Sequence, residues 1–315
     1  MKMSLGSLLS FAASVSFGYC SKWLWGHNDL RSLVSAEPDD DNSTSYLDGF
    51  TVVTRIHTTS AGKIVDADKV RDFVDSVLEY AEKVIVCVGF RHTRDGDSDD
   101  DAISDLSQNL EKYKEYIFSL QKTLDPRTIA RVVLLPVSPW GRFTSALNSA
   151  IVRAMDEQYR YIAFQSLEFR VPVEAVRKLL LQMQADRNLL VVGPAMNGHQ
   201  YRLGKQELRG RTCPWNTFAI WSLPHLSLTG FPMIGDGQGQ CPGGVEEVSA
   251  ISLLQTINPK LKACLVQIPS IQWSTNFQDP QRAEWHERKM SSKDERPHHQ
   301  LKVAGLRAGN VHHTI

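Results

Sequence analysis

The chain has 315 residues, enough to bury one sizeable core or two small ones. Hydrophobic residues at 42% and charged residues at 22% exclude a wholly disordered chain. Lys+Arg 35 balance Asp+Glu 35, so no global positive field argues for nucleic acid, and no nucleic-acid partner is expected.

Lys2 precedes an uncharged stretch from Met3 to Ser21 that holds Leu5, Leu8, Leu9, Phe11, Val15 and Phe17 among six serines. Residues 1–22 therefore read as a signal peptide or a signal anchor, with a soluble segment or an organelle presequence as the alternative. Residues 23–49 form an acidic polar linker that carries Asn42-Ser43-Thr44, an acceptor triplet for N-glycosylation. A positive residue before an uncharged leader favours a cytoplasmic N-terminus, a single-pass type II membrane anchor and a domain in the lumen of the ER or Golgi. A cytoplasmic or mitochondrial protein is the other reading.

From residue 50 to 290 the text alternates strand and helix. Thr51–Ile56 is β-branched and reads as a strand. Asp66–Lys83 places Val70, Phe73, Val74, Val77, Leu78 and Ala81 on one helical face. Lys83–Phe90 is a continuous apolar run, as in a strand covered on both faces. Asp95–Asp105 holds six aspartates and reads as a solvated loop, with helix expected from Leu106 to Gln121. A strand at Arg131–Val137, a helix at Ala146–Tyr159 and a strand at Tyr161–Phe164 follow. Pro172 opens a helix to about Ala185, and Asn188–Pro194 is the fifth strand. Beyond Pro194, Gly, Pro and Trp crowd the chain to Gly244, a stretch suited to wrapping a site. Gly243–Gln255 leads into a helix and Ala263–Ile268 is a late strand. The rhythm predicts a three-layer α/β/α domain with a mostly parallel central sheet. Residues 291–315 read as a basic polar tail, poorly ordered because apolar residues are sparse.

The five cysteines, Cys20, Cys87, Cys213, Cys241 and Cys264, are too few for a disulfide scaffold, and no two have zinc-knuckle spacing. No GxGxxG follows the first strand, and GxxxxGK[ST], GxSxG and HExxH are missing. The strand end Ala163–Phe169 would stand above the carboxyl edge of a parallel sheet, where open α/β folds bind ligands. Glu168 is its carboxylate, an oxygen ligand for Mg²⁺ or Mn²⁺ near a diphosphate or a first-turn helix carboxylate. Glu246 and Glu247 follow a glycine pair, and either suits a general base for an acceptor hydroxyl, or a helix-stabilising first turn. Asp236 lies among glycines that permit close backbone approach to a ligand. Trp215 and Trp221 flank Asn216 as core rings or as a platform for a sugar or base. Arg282, Arg288, Lys289, Lys293, Arg296, Lys302 and Arg307 are positive groups able to neutralise a diphosphate, or a solvated surface.

Taken in order, these segments resemble the GT-A nucleotide-diphospho-sugar transferases over about residues 50–290. Thr51–Ile56 is similar to the family's opening strand, which borders the nucleotide pocket. Arg142–Ala150 is similar to the segment in which a basic residue and an asparagine precede a helix beside the donor. Tyr161–Phe169 stands where the family has its acidic DxD turn, and Gly243–Glu247 where it has a glycine-then-acidic segment near the acceptor base. At the DxD position this chain reads Ser166-Leu167-Glu168, so Glu168 alone keeps a carboxylate. The resemblance implies transfer of a sugar from a nucleotide-diphosphate donor to a hydroxyl acceptor, or an inactive GT-A-like nucleotide-binding or interaction module. Under it Glu246 and Glu247 are the catalytic candidates. Arg55, Arg142, Asn148, Ser166, Asp236, Arg288 and Lys289 border the donor, and Glu168 and His286 are candidate ligands of Mn²⁺ or Mg²⁺.

Overall fold

The computed structural model describes residues 47–58, 64–89, 99–137, 140, 143–238, 240–271, 284 and 290–315, with the backbone alone for 99–110 and 238. The β-branched and apolar runs form the strands that the sequence predicts. β1 (Leu47–His57), β2 (Ala81–Gly89), β3 (Val132–Val137), β4 (Tyr161–Gln165) and β5 (Leu189–Pro194) are parallel to one another. They are joined by three sheet-covering helices and one shorter turn of helix: α1 (Ala67–Val77), α2 (Asp99–Thr123), α3 (Pro126–Ile129) and α4 (Thr144–Asp156). Between β4 and β5 runs α5 (Val173–Ala185), opened by Pro172, whose fixed φ suits a helix start.

Two strands run against the rest. β6 (Gly204–Glu207) closes one edge, and β7 (Phe218–Ser222) lies between β4 and β5. After β7 come a short helix α6 (Leu223–Leu226), a 3-10 turn Met233–Asp236 and a two-strand ribbon of β8 (Gly237–Gln238) with β9 (Cys241–Pro242). The helix α7 (Glu246–Ile257) leads to β10 (Lys262–Val266), and α8 (Glu295–Ala304) to β11 (Asn310–Thr314). The sheet order is β3-β2-β1-β4-β7-β5-β10-β11-β6, in a three-layer α/β/α architecture that is mostly parallel. Register is direct: Val52 faces Val84 of β2 and Ala163 of β4, and Ile162 faces Trp221 of β7. Phe50, Phe73, Phe164, Phe218, Trp221 and Phe231 are fully buried around it.

Three expectations are corrected. Asp99 already opens α2, so the acidic run from 99 to 105 is helical rather than loop; residues 95–98 lie outside the described residues. A run of acids suits the positive end of a helix macrodipole, which the reading by charge density overlooked. The segment after residue 290 is not a poorly ordered tail: α8 packs beneath β9, and β11 pairs with β10 and β6, Cys264 facing His312 and His312 facing Lys205. Its two buried positions are Val311 and His313, so the apolar signal of the strand shrinks to one residue. Finally, no helix among the described residues is long and apolar enough to cross a membrane. That corrects the membrane-anchored, lumenal expectation with its ER or Golgi placement: the described elements supply no span, and the leader of residues 1–22 and Asn42 lie outside the described residues.

Candidate functional site

Parallel strands end together, so β1 and β4 deliver Arg55, Ile56, His57 and Phe164–Glu168 to one carboxyl-side cleft of about 240 Å³. Val53, Val65 and Asn216 complete its lining. The turn after β4 is tied down by its backbone. Ser166 N donates to Thr217 O at 2.9 Å, and Phe169 N donates to Ser166 O at 3.0 Å. The Gln165 amide is spent on structure, accepting from Tyr80 Oη at 2.7 Å and donating to Phe169 O at 2.8 Å. Ser166 is half-buried in the cleft and Glu168 is exposed at its rim. On the β1 side the His57 ring stacks on Trp140 at 5.1 Å.

Behind the cleft stand the two glutamates. The Gly243-Gly244 pair is needed where it is: a Cβ on Gly243 would lie 2.3 Å from Asp236 O, and Gly244 has φ +107°. Val245 then takes φ 60°, ψ 44°, a left-handed conformation that a β-branched residue adopts only under strain. This sharp entry starts α7 with Glu246 and Glu247 both buried at 5% exposure. As neighbours on a helix they face different ways. Glu246 Oε1 lies 3.8 Å from the Arg55 guanidinium and 3.4 Å from Asn216 Nδ2. Glu247 Oε1 instead accepts from Asn216 N at 2.5 Å, while Asn216 Oδ1 accepts from Trp221 Nε1 at 3.0 Å. Burial, and next the charge of Glu246, push the Glu247 carboxyl up to about 7; the Asn216 N–H and the buried Lys293 ammonium oppose the shift. That ammonium sits 3.0 Å from the centre of the Trp215 ring.

Two candidates prove to be braces. Asp236 Oδ1 accepts from Phe143 N at 2.6 Å and Thr144 N at 2.8 Å, and Oδ2 accepts from Thr144 Oγ1, so it caps α4 from a distant loop. Asn148 uses both ends of its amide on Phe231, donating to O at 3.0 Å and accepting from N at 2.8 Å. Arg55, Ser166 and Glu168 line the cleft, and Glu246 is linked to it through its contacts with the lining residues Arg55 and Asn216. Arg142, His286, Arg288 and Lys289 lie outside the described residues.

Among the described residues no group of three or more His, Cys, Asp or Glu is placed to hold a metal ion. The lining offers the Glu168 carboxylate, the Ser166 hydroxyl and the His57 imidazole, whose ring is stacked on Trp140, so the cleft gives a divalent cation a single anionic side chain. The described cysteines are buried. Burial pushes the Cys87 thiol up to about 12 and the Cys213 thiol well up, so neither is a nucleophile. The residue that sequence reasoning undervalued is Asn216, which touches Glu246, Glu247 and Trp221; its one signal was a polar residue between two tryptophans.

No protein-family model matches the chain, and no curated protein matches it. Among solved structures it is similar to a mannosyltransferase from Pyrobaculum calidifontis in complex with GDP-Man and Mn²⁺, at 12% identity over 96% of this chain and 74% of that one, with a TM-score of 0.49. Glucosyl-3-phosphoglycerate synthase from Mycobacterium tuberculosis, in complex with Mn²⁺, UDP and phosphoglyceric acid, gives 15% identity over 82% and 79%, with a TM-score of 0.43. A 4-diphosphocytidyl-2C-methyl-D-erythritol synthase from Anaerococcus prevotii gives 10% over 78% and 100%, with a TM-score of 0.38. With TM-scores below one half, the ligands of these proteins say nothing of the ligands of this chain. What stands is the architecture itself, a mostly parallel three-layer sheet consistent with a GT-A-like fold.

Proposed function

We propose that this chain is a GT-A-like glycosyltransferase that seats a nucleotide-diphospho-sugar in the cleft between the ends of β1 and β4. The observation that carries this reading is the buried Glu246 carboxylate 3.8 Å from the guanidinium of Arg55, a residue that lines the cleft. A carboxylate held out of bulk water beside a phosphate-binding cation is the arrangement that a hydroxyl-activating base needs. In the step proposed, the acceptor oxygen bonds to the anomeric carbon and its proton passes to Glu246. The bond from that carbon to the diphosphate breaks, and its electron pair leaves with the nucleoside diphosphate. Arg55 offsets the charge that develops there. Glu247, closed off by the Asn216 N–H, positions the turn instead of reacting. No step runs through a metal ion.

The second reading is a nucleotide-binding module without turnover. It is favoured by Ser166, which stands where a transferase of this kind carries an acid, and by the contacts that already engage Glu246. The two are separated by incubating the protein with UDP-, GDP- and ADP-sugars and following release of nucleoside diphosphate. The expected result is release that falls at least about a hundredfold in E246Q, in the range that loss of a general base produces. Binding without release from any donor favours the module.

A further inference from the structure

We propose that the cleft holds the diphosphate of its nucleotide through the Arg55 guanidinium and needs no divalent cation. The inference rests on the nucleotide-binding reading above and states how that ligand is held. Its starting point is the register of β1 and β4. Val53 of β1 pairs with Phe164 of β4. Arg55 and Ser166 each stand two residues beyond that pair, past the last paired position of the two strands, and both line the cleft. An acid at 166 would share this cleft with Arg55 and offset its charge. A serine leaves the guanidinium free of that partner.

The fork of Arg55 is only partly used. Its Nη1 donates to Phe143 O at 3.3 Å, and its Nη2 stands 3.8 Å from Glu246, with 27% of the side chain exposed. Five N–H donors in a planar fork match phosphate oxygens in pairs, and the remaining ones face the cleft. The Glu246 carboxylate behind it and the Phe143 carbonyl beside it hold the guanidinium in place. A divalent cation, by contrast, would find one exposed carboxylate, one hydroxyl and the Trp140-stacked His57 ring in the cleft, and no group of three or more acidic, thiol or imidazole ligands among the described residues. It would also stand beside a fixed positive charge that repels it. The positive site is thus already filled by a side chain.

The test is calorimetric titration of the full chain with UDP, GDP and ADP, once with EDTA and once with excess MnCl₂, with the matching nucleosides as phosphate-free controls. The expected result is one nucleotide that binds with the same Kd in both buffers, within about threefold, and at least about tenfold more tightly than its nucleoside. R55Q should erase that tenfold preference, and S166D should weaken metal-free binding by a similar factor. Nucleotide binding that appears or tightens about tenfold only with Mn²⁺ overturns the inference and leaves the nucleotide-binding reading standing. Unchanged affinity in a folded R55Q, checked by thermal melting, overturns it as well. Failure of all three nucleotides in both buffers overturns the inference together with the reading beneath it. The metal comparison uses the unaltered protein, so it decides the matter even if R55Q does not fold.

Discussion

At Glu247 a single proton links the site to stability. Its carboxyl is raised from 4.5 to about 7 by burial and by the neighbouring Glu246. The folded chain therefore binds this proton more tightly than the unfolded chain does. The stability so contributed is complete below pH 4.5 and is lost as pH rises through about 7. E247Q keeps an oxygen for the Asn216 N–H and removes the charge. It should match the parent near pH 4.5 and exceed it at pH 8 by up to roughly 3 kcal/mol, at about 1.4 kcal/mol for each pKa unit between the two values. Thermal melts of both proteins across this range check the sign; a difference that shrinks with rising pH would refute it. The acidic pair was legible in the sequence because a glycine pair preceded it. Which of the two lies beside Arg55 was not, since that is decided by the left-handed turn at Val245 and by contacts with Arg55 and Asn216, far away along the chain.

At the scale of elements, α4 shows how helices here depend on one another. Phe143 at its start makes no side-chain cap, and the N–H groups of Phe143 and Thr144 are served by Asp236 from a loop some ninety positions onward. The same loop presses Asp236 O against Gly243, next to the turn that starts α7. One aspartate thus joins the beginning of α4 to the beginning of α7. D236A should cost about 1–2 kcal/mol, as for loss of a helix cap, with a matching fall in the urea midpoint. No loss of stability would show that water serves these donors equally well. Sequence spacing marked Asp236 as notable but pointed to a ligand, because glycine neighbours look alike whether they admit a phosphate or a second stretch of backbone.

Over the whole molecule, the parallel strands were legible because each is a short apolar run followed by a helix of matching period. β7 was not: Phe218–Ser222 is buried throughout, shows no alternation, and lies among the Trp and Pro residues that signalled a loop. β11 was missed because one of its two inward positions is a histidine. Its burial makes a prediction: V311D places a charge at a site of 0% exposure and should cost about 3 kcal/mol or more, read as early loss of cooperative melting. A variant that melts like the parent would argue that β11 is dispensable to the sheet. The placement of β11 also has a consequence in time. Arg202 N donates to His313 Nδ1 across 111 positions, and among the described residues β6 pairs only with β11. A ribosome making this chain releases β6 and β10 with open edges, and they wait until the segment that separates them in the finished sheet is synthesised. Nascent chains halted before Asn310 should therefore be captured by chaperones that bind unpaired strands, and should lose that association once β11 has cleared the exit tunnel.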